Sequence, residues 1–170
     1  MKSAVVAEPE CVFDLIDFNG APATPATYAG RHLLVFFGFT HCKVVCPRAL
    51  SRISIALDLL GPDAEKIQPI YITVDPARDT PAVMKAFLSE RYPRFIGLTG
   101  GAEAVEQARK AFKVFASIRR DPKDPDDYDV PHSALTYLIG PNGAYLAHFL
   151  DVIAAPELAE RIHSILNAGA

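Results

Sequence analysis

An α/β fold, with a mixed central β-sheet flanked by helices, is the class this sequence predicts. Three observations carry it. Short β-branched and aromatic runs alternate along the chain with segments whose apolar residues recur at helical spacing. The run from Leu33 to Phe37 is apolar throughout, as a buried strand requires. Near the C-terminus two strand-like runs flank Pro141-Asn142-Gly143, a hairpin signature that makes the sheet mixed.

Taken in order, residues 1–10 read as a flexible leader and 11–170 as one domain. Cys11 to Phe18 alternates like a strand and runs into an Asn19-Gly20 turn. Ala21 to Gly30 is a loop rich in Pro, Ala and Thr. After the strand at Leu33–Phe37 comes a small-residue and polar turn, and Pro47 suits a first helical position because it has no N–H to leave orphaned. Leu50, Ile53, Leu57 and Leu60 then form the apolar side of a helix that Gly61-Pro62 stops. Ile67 to Val74 is the next strand, with Pro69 signalling a sheet edge or a late start. Thr80-Pro81 caps a helix reaching about Arg91. Phe95 to Leu98 is a short strand, followed by a helix with Ala104, Val105, Ala108 and Phe112 on one face. Lys113 to Arg120 looks strand-like, and Asp121 to Asp129 reads as an exposed acidic loop that could meet a basic partner surface. A hairpin from Ser133 to Leu150 and a helix from Pro156 to Leu166 complete the chain. There is no internal repeat. A strand, a cysteine pair at the next helix's start and a late hairpin followed by a helix is the thioredoxin-like plan.

Bulk properties narrow the function. The chain has 170 residues, half of them apolar, which suffices for a core without disulfide staples. A net charge of -3 argues against nucleic acid as a partner. No apolar stretch approaches the ~20 residues of a membrane helix, and Met1 to Pro9 lacks the apolar core of a signal peptide. Any membrane attachment is expected through an anchor outside this chain. Three cysteines are too few for a disulfide scaffold.

The chemistry concentrates in Cys42-Lys43-Val44-Val45-Cys46-Pro47, where a central strand hands over to a helix. Free N–H groups and the positive end of the helix dipole favour a thiolate at Cys46. One turn apart, the two sulfurs can close as a disulfide or clamp a soft metal ion. Two small hydrophobes beside a turn is the alternative reading. Cys11, in its expected strand, reads as a buried residue without chemistry.

Among the five histidines, His32, His148 and His163 sit in elements with no metal-site pattern, and His41 abuts Cys42 with the peptide running the wrong way for a ligand. His132 differs. It lies in the segment leading into the first hairpin strand, and in a thioredoxin-like sheet that segment faces the cysteine-bearing helix start. Two thiolates and an imidazole form a soft, low-coordinate set suited to copper, either Cu(I) or Cu(II). Zinc accepts the same donors, but a structural zinc site normally takes four. Asp75, in the turn after its strand, is the expected outer group that orients His132 or Lys43. The competing reading of that turn is a helix cap with an Arg78–Asp79 surface pair.

The sequence resembles the Sco/SenC family, the thioredoxin-like copper-binding assembly proteins of cytochrome c oxidase. The matching blocks are Gly38-Phe39-Thr40-His41-Cys42 with Val45-Cys46-Pro47, Val74-Asp75-Pro76-Ala77-Arg78-Asp79-Thr80, and Gly97-Leu98-Thr99-Gly100. They continue through Asp127-Tyr128, His132-Ser133 and Tyr137-Leu138-Ile139-Gly140-Pro141-Asn142-Gly143. The resemblance implies Cys42, Cys46 and His132 as copper ligands. It implies as partners the copper-receiving subunit of the oxidase and other copper chaperones. It also implies a location on the periplasmic side of a bacterial membrane, with the mitochondrial intermembrane space as the lesser alternative. Two departures stand out: Lys43-Val44 replaces the family's usual Pro-Asp, and Pro131 stands where an acidic residue often precedes the histidine. The first moves the local charge positive, which should lower the thiol pKa values. The alternative function is a thiol–disulfide oxidoreductase in which Cys42 and Cys46 are the redox-active, catalytic pair. A spacing one residue longer than C-x-x-C, and the histidine on the facing loop, weigh against it.

Overall fold

The structure is a computed structural model that describes residues 9–40, 45–114, 119–121, 124–129, 135–150 and 152–168, with only the backbone described at 45–46, 119–121 and 124–129. The strands are β1 (Leu15–Asp17), β2 (Pro22–Ala23), β3 (His32–Gly38), β4 (Ile67–Thr73), β5 (Ile96–Thr99), β6 (Arg119–Asp121), β7 (Asp124–Asp129), β8 (Leu135–Ile139) and β9 (Tyr145–Leu150). The helices are α1 (Val45–Leu60), α2 (Pro81–Arg91), α3 (Ala102–Ala111) and α4 (Ala155–Ala168). Seven strands form one mixed sheet in the order β2-β1-β5-β4-β3-β8-β9, and β6 pairs with β7 apart from it. Strands β3, β4 and β5 are parallel, whereas β8 runs antiparallel to β3 and β9 antiparallel to β8. This is the mixed, helix-flanked sheet expected.

The sheet separates two cores, and the alternation of β3 shows how. Leu34 and Phe36 face a cluster with Leu50, Ile53 and Leu57 of α1, Met84 and Leu88 of α2, and Leu158 and Ile162 of α4. Leu33, Val35 and Phe37 face the other cluster, with Val105 and Ala108 of α3 beside Phe112 and Tyr137. Successive side chains of a strand point to opposite faces, so a strand covered on both sides must be apolar at every position. Each fully buried large side chain contributes roughly 1.5–3 kcal/mol by leaving water. The rings of Phe37, Phe112 and Tyr137 add edge-to-face contacts, with Phe37 and Phe112 centroids 5.2 Å apart.

Several local expectations hold for stated reasons. The Thr80 hydroxyl accepts from the Val83 N–H at 3.3 Å, capping α2. The Asn142-Gly143 turn closes β8 onto β9, with Gly143 at φ 84, where a side chain would be strained. Pro69 lies in an interior strand, but β4 meets β5 only from Ile70 onward. Its missing donor therefore falls where one flank is still unpaired, and the expected edge or late start is corrected: β4 begins at Ile67, with Pro69 inside it.

Other expectations are corrected. Helix α1 begins at Val45, so Pro47 is its third residue rather than its first. That position is still within the first turn, whose N–H groups have no intrahelical acceptor. The first strand starts at Leu15 and not at Cys11, because the Val12 N–H is taken by the Glu10 carbonyl at 3.0 Å and Glu10 itself donates to Ala111. The presumed loop at 21–30 holds β2 and a single 3-10 turn at Pro25–Tyr28. Lys113 adopts φ 61 in a turn after α3, so the strand-like segment does not begin there; residues 115–118 lie outside the described residues, and Arg119–Asp121 is strand β6. The acidic stretch is not a plain loop: Asp124–Asp129 is a strand registered antiparallel on β6. Backbone pairing needs no apolar alternation, and a strand of Asp, Pro and Tyr has none to detect. Most of the expected leader, residues 1–8, and the ends of the chain at 169–170 lie outside the described residues. Among the described residues no helix is long and apolar enough to cross a membrane.

Candidate functional site

The edge of the sheet where β3, β4 and β5 end is where the candidate residues gather, the usual place for ligand chemistry in parallel α/β sheets. Beyond Gly38 the chain passes through Phe39 and Thr40 toward the cysteines. Beyond Thr73 it passes through the turn Val74 to Thr80 into α2. The two exits are joined at once by the Val74 N–H, which donates to the Gly38 carbonyl at 2.8 Å.

Asp79 is the hub of this edge. It is fully buried. One carboxylate oxygen accepts the Thr40 backbone N–H at 3.0 Å and the Thr73 hydroxyl at 2.8 Å, and the other accepts the Thr40 hydroxyl at 2.5 Å. The Asp79 carbonyl accepts the Thr99 hydroxyl at 2.8 Å. Threonines at the ends of three adjacent parallel strands therefore converge on one residue. Burial pushes the Asp79 carboxyl up from its ordinary value, opposed by the hydrogen bonds from Thr40 and Thr73.

Asp75 is also buried, at 3% exposure, and forms an ion pair with Arg78. Its N–H donates to the Thr73 hydroxyl at 2.8 Å, and its carbonyl accepts the Asp79 N–H at 2.9 Å. The Arg78 guanidinium lies 5.8 Å from the centre of the Phe39 ring, within reach of a cation–π contact. The expected Arg78–Asp79 surface pair is thus corrected: Arg78 pairs with Asp75, and Asp79 turns inward to Thr40. An arginine largely removed from water needs a carboxylate beside it, while Asp79 finds three protein donors and needs no cation.

Of the residues singled out from the sequence, Cys42 and His132 lie outside the described residues, as do His41, Lys43 and Pro131. Cys46 is described by its backbone, as the second residue of α1. The helix start is held from below by the Tyr92 hydroxyl, which donates to the Pro47 carbonyl at 3.4 Å. On the far side, Thr136 of β8 is registered on Phe36 of the antiparallel β3. The chain therefore enters β8 at the edge where it leaves β3. Among the described residues no group of three His, Cys, Asp or Glu could hold a metal ion.

The remaining candidates fall away from this edge. Cys11 is a free, half-buried thiol against the α3-side core, where burial pushes its pKa up to about 11 and makes it a poor nucleophile. His148 is exposed on β9, stacked on Tyr145, and His163 is exposed on α4 within 3.2 Å of Asp63. Burial, with Lys66 nearby, holds the His32 imidazole below its ordinary range. The sequence reading missed Asp79 and Thr40 as partners. The available signal was a threonine closing each of three apolar strands, at Thr40, Thr73 and Thr99.

Comparison with known proteins follows the same lines. A family model described as SCO1/SenC matches residues 4–167. The mitochondrial protein SCO2 of Saccharomyces cerevisiae is 44% identical over 135 residues, covering 79% of this chain and 45% of that protein. An SCO2-like protein of Rickettsia felis is 42% identical over 149 residues, covering 87% of this chain and 72% of that protein. The chain thus spans under half of the yeast relative's length. Among solved structures, Bradyrhizobium japonicum ScoI with copper bound superposes with a TM-score of 0.83 at 37% identity, covering 94% of this chain and 99% of that one. Yeast Sco1 with copper bound gives a TM-score of 0.87 at 31% identity, covering 95% and 90%. This chain belongs to the SCO1/SenC family.

Proposed function

We propose that this protein handles copper during assembly of cytochrome c oxidase, taking one copper ion as cargo on the thiolates of Cys42 and Cys46 and the imidazole of His132. The observation that carries the reading is its likeness to ScoI with copper bound, at 37% identity over 94% of this chain. The donor chemistry fits such a cargo: two soft thiolates suit Cu(I), and an added nitrogen accommodates Cu(II). The backbone is compatible, since the chain leaves β3 toward the cysteines and enters β8 from His132 at one edge of the sheet. Within this reading the helix start favours the Cys46 thiolate, and Lys43 adds positive charge beside it. Asp75 belongs to the surrounding shell through Arg78 and Phe39 rather than as a ligand. The receiving partner is the copper-binding subunit of the oxidase, met on the periplasmic side of a bacterial membrane by an anchored form of the protein.

The test is anaerobic titration of the reduced protein with Cu(I), with metal analysis. Saturation is expected at one equivalent, and Cys46→Ser should lose at least a hundredfold in affinity. Wild-type affinity in that variant would remove Cys46 from the site. A protein that binds no Cu(I) but rapidly reduces disulfides would support thiol–disulfide exchange by the same pair instead.

A further inference from the structure

We propose that Asp79 is a positioning residue: by gripping Thr40 through both its backbone N–H and its hydroxyl, it sets where the segment carrying Cys42 leaves the sheet and so how closely Cys42 approaches Cys46. The inference rests on the reading of Cys42 and Cys46 as the reactive pair.

The geometry is specific. Thr40 is two residues before Cys42, and it is the last described residue before the cysteines. Its two donors go to the two different oxygens of one carboxylate, at 3.0 Å and 2.5 Å. Such a two-point grip fixes the orientation of the residue as well as its place. The carboxylate is itself anchored, through the Thr73 hydroxyl to β4 and through its own carbonyl to Thr99 of β5. The grip is therefore tied to the rigid part of the sheet. At the other end of the segment, Cys46 sits in the first turn of α1, and the Pro47 carbonyl next to it is bonded to Tyr92. Both ends are fixed while the residues between them are few. Removing a fixed end lowers the effective concentration of one thiol at the other, as for any tethered pair. A carboxyl group in a fully buried place is costly in itself, and burial raises its pKa despite the bonds it accepts. A neutral core residue would be the cheaper choice if only packing were at stake.

The experiment uses the full chain and compares Asp79→Asn, Thr40→Val, Thr40→Ser and Val105→Ala. The last removes core volume under α3 without touching the bonds from Asp79 to the three threonines, and controls for loss of stability alone. Two quantities are read. The first is the equilibrium of the Cys42–Cys46 disulfide with glutathione, in which the protein disulfide and two glutathione thiols give two protein thiols and one glutathione disulfide. The second is native-state exchange of the Thr40 amide, together with the backbone shifts of residues 41–46. Asp79→Asn keeps the shape but removes the charge, and its amide nitrogen can only donate, so the Thr40 hydroxyl must turn to accept and the charge-assisted grip on Thr40 is weakened. It should move the equilibrium about tenfold toward the dithiol, ~30 mV for a two-electron couple, and speed Thr40 exchange at least tenfold. Thr40→Val should shift both readings in the same direction by less, Thr40→Ser should restore them, and Val105→Ala should leave both unchanged. An Asp79→Asn protein with the disulfide equilibrium of Val105→Ala overturns the proposal, even if its Thr40 amide exchanges faster. If Asp79→Asn does not fold, the pair Thr40→Val and Thr40→Ser decides in the same way. If the wild type forms no Cys42–Cys46 disulfide, thiol–disulfide exchange by the pair is excluded, while copper binding is judged separately by the Cu(I) titration. The positioning role then stands or falls on whether the 41–46 shifts move in Asp79→Asn.

Discussion

Two strand-to-helix crossings leave the same edge of the sheet side by side. From β3 the chain runs through Phe39 and Thr40 into the cysteine segment and α1; from β4 it runs through Asp75 to Thr80 into α2. The second crossing is tied at every step. Asp75 bonds Thr73 and pairs with Arg78, Asp79 bonds Thr40, Thr73 and Thr99, and Thr80 caps α2. The first crossing borrows its fixed points from the second: Arg78 lies over Phe39 and Asp79 holds Thr40. In the proposed reading the first crossing presents thiols to copper, and the anchors at its base, on Phe39 and Thr40, come from the neighbouring crossing.

The largest effect is expected where both crossings share a foundation. Phe37 is fully buried between them and registered on Ile72 of β4. Phe37→Ala should cost about 3–5 kcal/mol of unfolding free energy, through lost burial plus the cavity left behind. Urea unfolding measures it, and backbone shifts should then move at both Thr40 and Asp79. A change confined to one of them would mean the two crossings are not braced by a common core.

A smaller change should separate the crossings. Thr80→Ala removes the cap of α2 at a cost of about 1 kcal/mol. Exchange of the Val83 amide, which the Thr80 hydroxyl now accepts, should accelerate. Thr40 exchange and thiol reactivity should not change. Coupled changes would show that the grip on Thr40 depends on the helix and not on the carboxylate alone.

The smallest effect concerns pH. The Asp79 carboxyl is raised in the folded state, chiefly by burial. A group so raised holds its proton more tightly folded than unfolded. Its contribution to stability is therefore present below the unfolded carboxyl value of about 3.9 and is lost as pH rises through the raised folded value. Wild-type stability measured against Asp79→Asn should accordingly improve on acidification through that window and level off below it. A difference that worsens on acidification would mean that the bonds from Thr40 and Thr73 outweigh burial. Asp79 would then hold its charge more firmly than the environment alone suggests.

Much of this architecture was legible from residues near one another in the chain. Leu33 to Phe37 announced a strand covered on both faces, because no position in it could face water. Thr80-Pro81 announced the start of α2, and Asn142-Gly143 announced the hairpin, since caps and tight turns are decided by a few adjacent backbone angles. The acidic ribbon was not legible. Its pairing depends on register between Arg119–Asp121 and Asp124–Asp129, which leaves no hydrophobic period. The early strand at Cys11 failed for a related reason. Alternation favours a strand only where a neighbour supplies the ladder, and before Leu15 the backbone bonds to Glu10 and Ala111 instead.

The sequence by itself determined the alternation of strands and helices, the cysteine pair at a helix start, and the family blocks in which Cys42, Cys46 and His132 stand. Only the tertiary structure decided the roles of the two aspartates in one turn. Asp75 and Asp79 are four residues apart in similar polar surroundings, and nothing local tells which takes the cation and which turns inward. Asp79 draws its donors from Thr40, 39 positions away, and from Thr73, and its carbonyl is held by Thr99, 20 positions on. Those three threonines meet only because β3, β4 and β5 end at one edge in parallel register. A buried carboxylate is stable where its donors are, and strand order is what brings them there.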